Sequence, residues 1–177
     1  MDRQILEQKL CELPIVQYEF FETQELLFTD RVRYVCETEC PQYGKSWACP
    51  PGVGTVEECK ARCLSYPNGL LITTMTEVRD IADIEETLST RGGHEAVTRE
   101  AAALVREQGC ETYVLSTESC AVCENCSYPD APCRHADKMF PCVESHGILV
   151  TELAEKYGIE FQAGANVVTW FSLILYR

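Results

Sequence analysis

The chain has 177 residues, with 15 lysines and arginines against 28 aspartates and glutamates, and its formal net charge is −13. This acidic balance argues against nucleic-acid binding and docking on anionic lipid, because both need a basic surface. Apolar residues make up 46% of the chain and charged residues 24%, which is an ordinary globular composition and excludes a disordered tail protein.

The first third of the chain predicts a helix, two strands and a loop. The opening residues form a short helix that Pro14 ends. Loose alternation of apolar residues predicts strands over 15–21 and 26–35. Residues 36–54 read CETECPQYGKSWACPPGVG, and three prolines with three glycines make this segment irregular.

From residue 55 onward, caps and apolar spacing predict helices and strands in alternation. Thr55 suits a helix N-cap, Asn68-Gly69 marks a turn, and Gly92-Gly93 interrupts a helical pattern. In chain order the predicted elements are a helix to about residue 66, a strand over 70–74, a helix over 81–88, a helix with an apolar stripe over 97–105 that stops at 109, a strand over 113–115, an irregular cysteine-rich segment over 116–141, a helix over 150–157 closed by 158, and a strand over 167–176.

This order of elements predicts an α/β or α+β fold, in which helices cover a mixed sheet and two irregular cysteine-rich loops bind metal. The chain has no fixed-period repeat, no low-complexity tract and no linker. We therefore expect a single domain over 1–177.

Cysteine is the outlier of the composition, with twelve in the chain. The N-terminus, MDRQILEQKLCELP, is polar and unlike a secretory signal, and no apolar run reaches the about 20 residues of a membrane helix. We therefore expect a cytoplasmic protein, and in a reducing compartment clustered cysteines bind metal or do redox work. The alternative is a fold stapled by disulfides.

The second cysteine segment carries the sharper motif. Cys120, Cys123 and Cys126 form C-x2-C-x2-C, and Cys133 follows six residues later. Three thiolates at this spacing match the first part of a bacterial ferredoxin run and wrap one corner of an iron–sulfur cubane. Structural zinc more often uses two C-x2-C pairs that lie a dozen or more residues apart. The spacing favours an iron–sulfur cluster, with zinc as the alternative.

The first cysteine segment is looser. Cys36-x3-Cys40-Pro resembles the tail of the ferredoxin run, and Cys49-Pro-Pro adds a third candidate ligand. In two-cluster ferredoxins the cysteine before proline ligates the other cluster, so Cys40 or Cys49 could complete the site of the second segment. Cys133 would then belong to the first. The sequence leaves this pairing open.

Two [4Fe–4S] clusters need eight ligands, and the two segments supply seven. Cys59 and Cys63 share a face of a predicted helix, and Cys59 is preferred as the eighth because it lies nearer the first segment. Two small core residues are the plain alternative. Cys142 lies close enough to Cys133 to be a further candidate. Without an eighth ligand, one iron would stay open to bind a substrate.

Residues beside the motifs are weaker candidates for a role at the metal site. The aromatic side chains of Tyr43, Trp47 and Tyr128 could shield a cluster from water or simply anchor loops on the core. His135 and His146 could replace thiolate ligands, although a histidine satisfied by ordinary hydrogen bonds is the plainer interpretation.

CETECPQYGKSWACPP, followed much later by CAVCENCSYPDAPCR and an ESHGI stretch, resembles an uncharacterised prokaryotic family known as predicted metal-binding proteins. The resemblance spans residues 32–177. It implies cysteine-ligated metal, as iron–sulfur, in cytoplasmic proteins of bacteria and archaea, many of them anaerobes. It departs from the expected pattern at the x3 between Cys36 and Cys40 and at Cys142, where serine is expected.

We therefore expect one or two [4Fe–4S] clusters that pass electrons to a redox partner protein. An acidic surface suits such a carrier, because it meets basic patches by electrostatic steering. The alternatives are an enzyme that uses an open-iron cluster on a small molecule, and a zinc-bound structural or interaction module. The predicted metal ligands are Cys36, Cys40, Cys49, Cys59, Cys120, Cys123, Cys126 and Cys133.

Overall fold

The computed structural model describes all 177 residues and consists of six α-helices, a four-stranded sheet and two short 3-10 helices. None of the helices combines the length and the apolar character needed to span a bilayer. The elements are α1 (Arg3–Leu10), β1 (Gln17–Glu22), a 3-10 helix (Thr23–Glu25), α2 (Asp30–Thr38), α3 (Val56–Leu64), β2 (Asn68–Glu77), α4 (Ile84–Ser89), α5 (Arg91–Glu107), β3 (Thr112–Leu115), a 3-10 helix (Glu144–His146), α6 (Val150–Tyr157) and β4 (Val167–Tyr176).

The sheet has the order β1-β2-β4-β3, and each neighbouring pair is antiparallel. The fold is therefore α+β, which confirms the predicted fold class, and its sheet is antiparallel throughout instead of mixed. The central strands β2 and β4 pair over ten residues, from Asn68 opposite Tyr176 to Glu77 opposite Val167. The chain between them holds three α-helices, a strand and a cysteine-rich segment, and it returns in the opposite direction instead of making a parallel crossover.

Helices cover both faces of the sheet because successive strand residues point to opposite sides. Helices α1 and α5 pack on one face, while α3 and α6 pack on the other. Each fully buried leucine or isoleucine contributes about 1.5–3 kcal/mol of burial free energy. The fully buried aliphatic residues of the central strands are Leu70, Leu71, Ile72, Leu173, Ile174 and Leu175.

The helix starts and stops predicted near α3 and α6 are confirmed. Thr55 caps α3 with a reciprocal capping box, in which its hydroxyl accepts from Glu58 N at 3.2 Å and Glu58 accepts from Thr55 N at 2.8 Å. Helix α6 ends at Gly158, whose φ of +64° is in the left-handed region. These signals were readable because caps depend on a few adjacent residues.

Three local predictions are wrong. The alternation over 26–35 predicted a strand, but Thr29 caps α2 by accepting from Arg31 N at 3.2 Å. Gly69 lies in β2 instead of a turn, and a Cβ there would come within 2.2 Å of the Phe21 ring. The Gly92-Gly93 pair lies inside α5 and does not interrupt it.

His94 is buried where α5 crosses the sheet. Its Nδ1 lies 2.8 Å from the Thr74 hydroxyl and its Nε2 lies 2.7 Å from the Ser172 hydroxyl. Burial lowers the pKa of His94 to about 4, because the site disfavours the charged imidazole. It is a core histidine held by hydroxyl groups of β2 and β4.

We predict that this histidine makes folding sensitive to acid. Below pH 6.5 the unfolded chain protonates His94, whereas the folded protein does not until about pH 4. Stability is therefore lost as the pH falls through this window, by up to about 3 kcal/mol. Urea unfolding measured between pH 7 and pH 4 should show that the free energy of unfolding falls less steeply with pH in His94→Gln than in the unchanged protein. Parallel plots of unfolding free energy against pH would contradict a neutral, buried His94.

Candidate metal centre

The two cysteine-rich loops lie side by side and are joined through Trp47. The indole Nε1 of Trp47 donates to the Ala131 carbonyl at 3.0 Å. Its ring meets Tyr128 edge to face, with ring centroids 4.9 Å apart. Two of the three aromatic residues that the sequence offered as shields or anchors, Trp47 and Tyr128, thus link the loops.

The first group of cysteines comes from three parts of the chain. Cys36 lies on α2, Cys40 and Cys49 lie in the loop that follows, and Cys142 comes from the end of the second cysteine segment. We call these four residues the N-terminal cysteine set. They line one cavity of about 270 Å³. A single water needs only about 10–15 Å³, so this cavity has room for a group of many atoms.

Backbone contacts bring Cys142 into this set. Its amide donates to the Ala48 carbonyl at 3.3 Å, next to Cys49. Ser116, at the end of β3, accepts from Val143 N at 2.8 Å and forms a bridge opposite Cys142. The end of the second cysteine segment is thereby held against the first.

The thiols of the N-terminal cysteine set are poorly solvated. Burial raises the pKa of Cys36 to about 11 and the pKa of Cys142 well above its usual value. The Cys142 thiol donates to Glu144 Oε2 at 2.7 Å. Burial also raises the pKa of Cys49. The buried Ser46 hydroxyl bonds to no group with good geometry, but it lies beside Cys49, where donation to the thiolate would counter part of the effect of burial.

The second group consists of Cys120, Cys123, Cys126 and Cys133, which we call the C-terminal cysteine set. These four line a narrow void of about 20 Å³, together with Arg134 and His135. The loop that carries them is stiffened locally, because Ser127 Oγ donates to the Pro132 carbonyl at 2.8 Å and Arg134 donates to the Asn125 carbonyl. The sequence left the pairing of cysteines open, and the structure groups the C-x2-C-x2-C cysteines with Cys133.

Cys59 and Cys63 lie on α3 and line neither of these two cavities. The Cys59 thiol donates to the Val53 carbonyl at 3.4 Å and accepts from Arg33 Nη2 at 3.8 Å. Cys63 belongs to the apolar cluster under the sheet. All twelve cysteines are free thiols, and no three cysteine, histidine, aspartate or glutamate side chains converge with the geometry of a single-ion site.

His146 is fully buried and satisfied by neighbours. Its Nδ1 lies 3.1 Å from the Cys142 carbonyl, which can only accept, so Nδ1 carries the proton. Its Nε2 then accepts from the Tyr113 hydroxyl at 2.7 Å. Burial lowers the pKa of His146 to about 3 and raises that of Tyr113 to about 12, which keeps both side chains neutral.

An α+β sandwich that carries two four-cysteine sets on adjoining loops defines a cysteine-rich protein built to bind metal. The chain belongs to the family described as predicted metal-binding protein (DUF2284), which it matches over residues 19–176. The family resemblance seen in the sequence is confirmed. No curated protein and no solved structure matches the chain.

The link through Trp47 can be tested with a matched pair of tryptophans. Trp47→Phe keeps an aromatic ring but loses the N–H that bonds the second loop, which costs about 1 kcal/mol. Amides of residues 120–133 should then exchange with solvent about fivefold faster.

Trp170 provides the control, because its indole N–H donates to Thr90 Oγ1 at 2.8 Å, on another part of the chain. Trp170→Phe should leave exchange over 120–133 unchanged. Equal acceleration in both variants would contradict a specific role for Trp47.

Proposed function

We propose that this protein holds two [4Fe–4S] clusters and carries electrons to a partner protein in the cytoplasm. The observation that supports this most is the grouping of eight cysteines into two sets of four. Four thiolates are the full ligand complement of one [4Fe–4S] cluster. Two complete sets leave no open iron, which favours an electron carrier over an enzyme with a substrate-binding iron.

In this proposal Cys142 takes the ligand role that the sequence had given to Cys59. Cys142 lines the cavity of Cys36, Cys40 and Cys49. The Cys59 thiol is instead hydrogen-bonded to the Val53 carbonyl and to Arg33. The C-terminal cysteine set would hold the second cluster.

The residues around the N-terminal cysteine set fit a cluster in two respects. The cavity is wide enough for a group of many atoms. The buried Ser46 hydroxyl, which has no partner, is placed to donate to a Cys49 thiolate. Hydrogen bonds to ligand sulfurs are one of the means by which proteins set the potential of a cluster. A bound cluster would supply a one-electron couple at this site.

The acidic character of the chain supports a carrier role. A net charge of −13 creates an attractive field for a basic docking patch and speeds the encounter with it. We therefore propose that the redox partner presents a basic surface.

Iron analysis of two variants tests the ligand sets. Anaerobically purified protein should contain about eight iron and eight acid-labile sulfide per chain, with a brown colour that dithionite bleaches. Cys142→Ala removes one proposed ligand and should lower the iron count to about four. Cys59→Ala removes an equally buried thiol outside both sets and should leave the count unchanged.

Two results would contradict these ligand sets. Loss of iron in Cys59→Ala but not in Cys142→Ala would restore the assignment made from the sequence. Colourless protein with one or two zinc ions and no sulfide would remove the redox function altogether.

The carrier role makes a separate prediction about salt. Reduced protein should transfer electrons to cytochrome c, a basic acceptor, more slowly as ionic strength rises from about 0.01 M to about 1 M. Over this range the Debye length falls from about 30 Å to about 3 Å, which screens the attraction between the proteins. Stopped-flow rates with a neutral acceptor should hardly change, and equal salt dependence for both acceptors would argue against electrostatic docking.

A zinc-bound structural module is the second candidate. It is favoured by the narrow void of the C-terminal cysteine set, since about 20 Å³ is closer to the size of a single ion than to that of a cubane, although the four thiols would have to move together to ligate the ion. Such a module would bind zinc through Cys120, Cys123, Cys126 and Cys133 and lose the fold of its loop on treatment with a chelator.

A further inference from the structure

A third cavity lies outside the two that the cysteine sets line. Its volume is about 670 Å³, within the range of about 300–1,000 Å³ that is typical of small-molecule sites. Its wall includes Trp47 and Cys133, so it adjoins the C-terminal cysteine set. A molecule bound here would lie directly beside that set.

Two arginines line this cavity without an acidic partner. Seven other basic side chains form ion pairs, but neither Arg62 nor Arg106 lies within 4.0 Å of a carboxylate. Eight of the 15 lysines and arginines form no ion pair, and Arg62 and Arg106 are the two of these that line the cavity. Unpaired guanidinium groups on a cavity wall are suited to bind a carboxylate, sulfonate or phosphate.

Neutral contacts hold both arginines in place. Arg62 Nη1 donates to the Tyr113 hydroxyl at 3.3 Å and to the Val53 carbonyl at 3.4 Å. Arg106 Nε donates to Thr112 Oγ1 at 2.7 Å. Each guanidinium keeps donors that bond to nothing in the protein. Arg62 reaches the cavity from α3 and Arg106 from α5, on opposite faces of the sheet, and adjacent residues of the edge strand β3 hold both. This fixing lowers the entropy cost of binding an anion.

The remaining wall combines buried apolar residues with two exposed acidic residues. Val53, Val114 and Phe140 are buried residues that line the cavity. Asp130 and Asp137 are exposed on the cysteine loop and make no ion pair. The cavity therefore offers an apolar surface next to a cationic wall, and this combination suits an anion with an apolar body.

We propose that this cavity binds an organic anion, whose charged group is held by Arg62 and Arg106 and whose apolar body lies against Val53, Val114 and Phe140. Binding of an anion in this cavity is separate from electron transfer and does not require a particular metal in the cysteine sets. The proposal assigns two residues that sequence reasoning missed, because single arginines on two helices form no recognisable motif.

The test compares two probes that differ in charge. 8-Anilinonaphthalene-1-sulfonate is an apolar body with an anionic group, and N-phenyl-1-naphthylamine is the same body without it. Titration calorimetry on the intact, metal-loaded protein should show that Arg62→Gln and Arg106→Gln each weaken binding of the sulfonate by about tenfold or more. Both variants should bind the neutral probe as the unchanged protein does.

Arg31→Gln is the matched control, because it removes one exposed positive charge on α2, away from the cavity. It should change sulfonate binding by less than about twofold. The proposal is overturned if the sulfonate does not bind the unchanged protein, or if Arg62→Gln and Arg106→Gln bind it normally. It is also overturned if these two variants lose the sulfonate and the neutral probe to the same extent.

Iron and sulfide counts on the same samples separate this proposal from the previous one. Arginine-dependent binding by protein without iron would uphold the anion site and remove the iron–sulfur function. A full iron count without arginine-dependent binding would support the iron–sulfur function and remove the anion site.

Discussion

The antiparallel pairing of β2 with β4 is the contact on which the other elements depend. These two strands form the centre of the sheet, and their buried aliphatic rows receive α1 and α5 on one face and α3 and α6 on the other. Each buried leucine or isoleucine contributes about 1.5–3 kcal/mol, whereas an exposed ion pair contributes about 0–1 kcal/mol. The central pair therefore dominates the stability of the fold, and the cysteine loops are attached to a rigid sheet.

The cysteine loops are held differently from the sheet. They contain few buried apolar residues, and a small number of polar contacts join them, chiefly the Trp47 indole to Ala131 and the Cys142 amide to Ala48. Segments held in this way open more easily than a core does. A metal group ligated by both loops would add its binding free energy to their folding, so metal loading and loop order should be coupled.

The two cysteine sets and the large cavity are structurally connected. A run of hydrogen bonds leads from Arg62 through the Tyr113 hydroxyl and the His146 ring to the Cys142 carbonyl. The same cavity also includes Cys133 in its wall. An anion bound at Arg62 would therefore adjoin the C-terminal cysteine set, and these hydrogen bonds would link it to Cys142 of the N-terminal set.

Features that depend on neighbouring residues could be predicted from the amino-acid sequence alone. Proline and glycine residues indicated the irregular loops, and the cysteine spacing indicated the motif of the C-terminal cysteine set. Thr55 indicated the start of α3, where it forms a capping box with Glu58. Helix α2 was missed because its apolar residues alternate loosely, and Gly69 was misjudged because only the packed sheet brings the Phe21 ring against it.

Only the tertiary structure decided which distant residues meet. The pairing of β2 with β4 and the backbone contacts of Ser116 bring Cys142 to Cys49 across more than ninety positions of the sequence, while α3 turns Cys59 toward Arg33. Residue spacing along a chain carries no information about such contacts, because they arise when separate apolar faces are buried against one sheet.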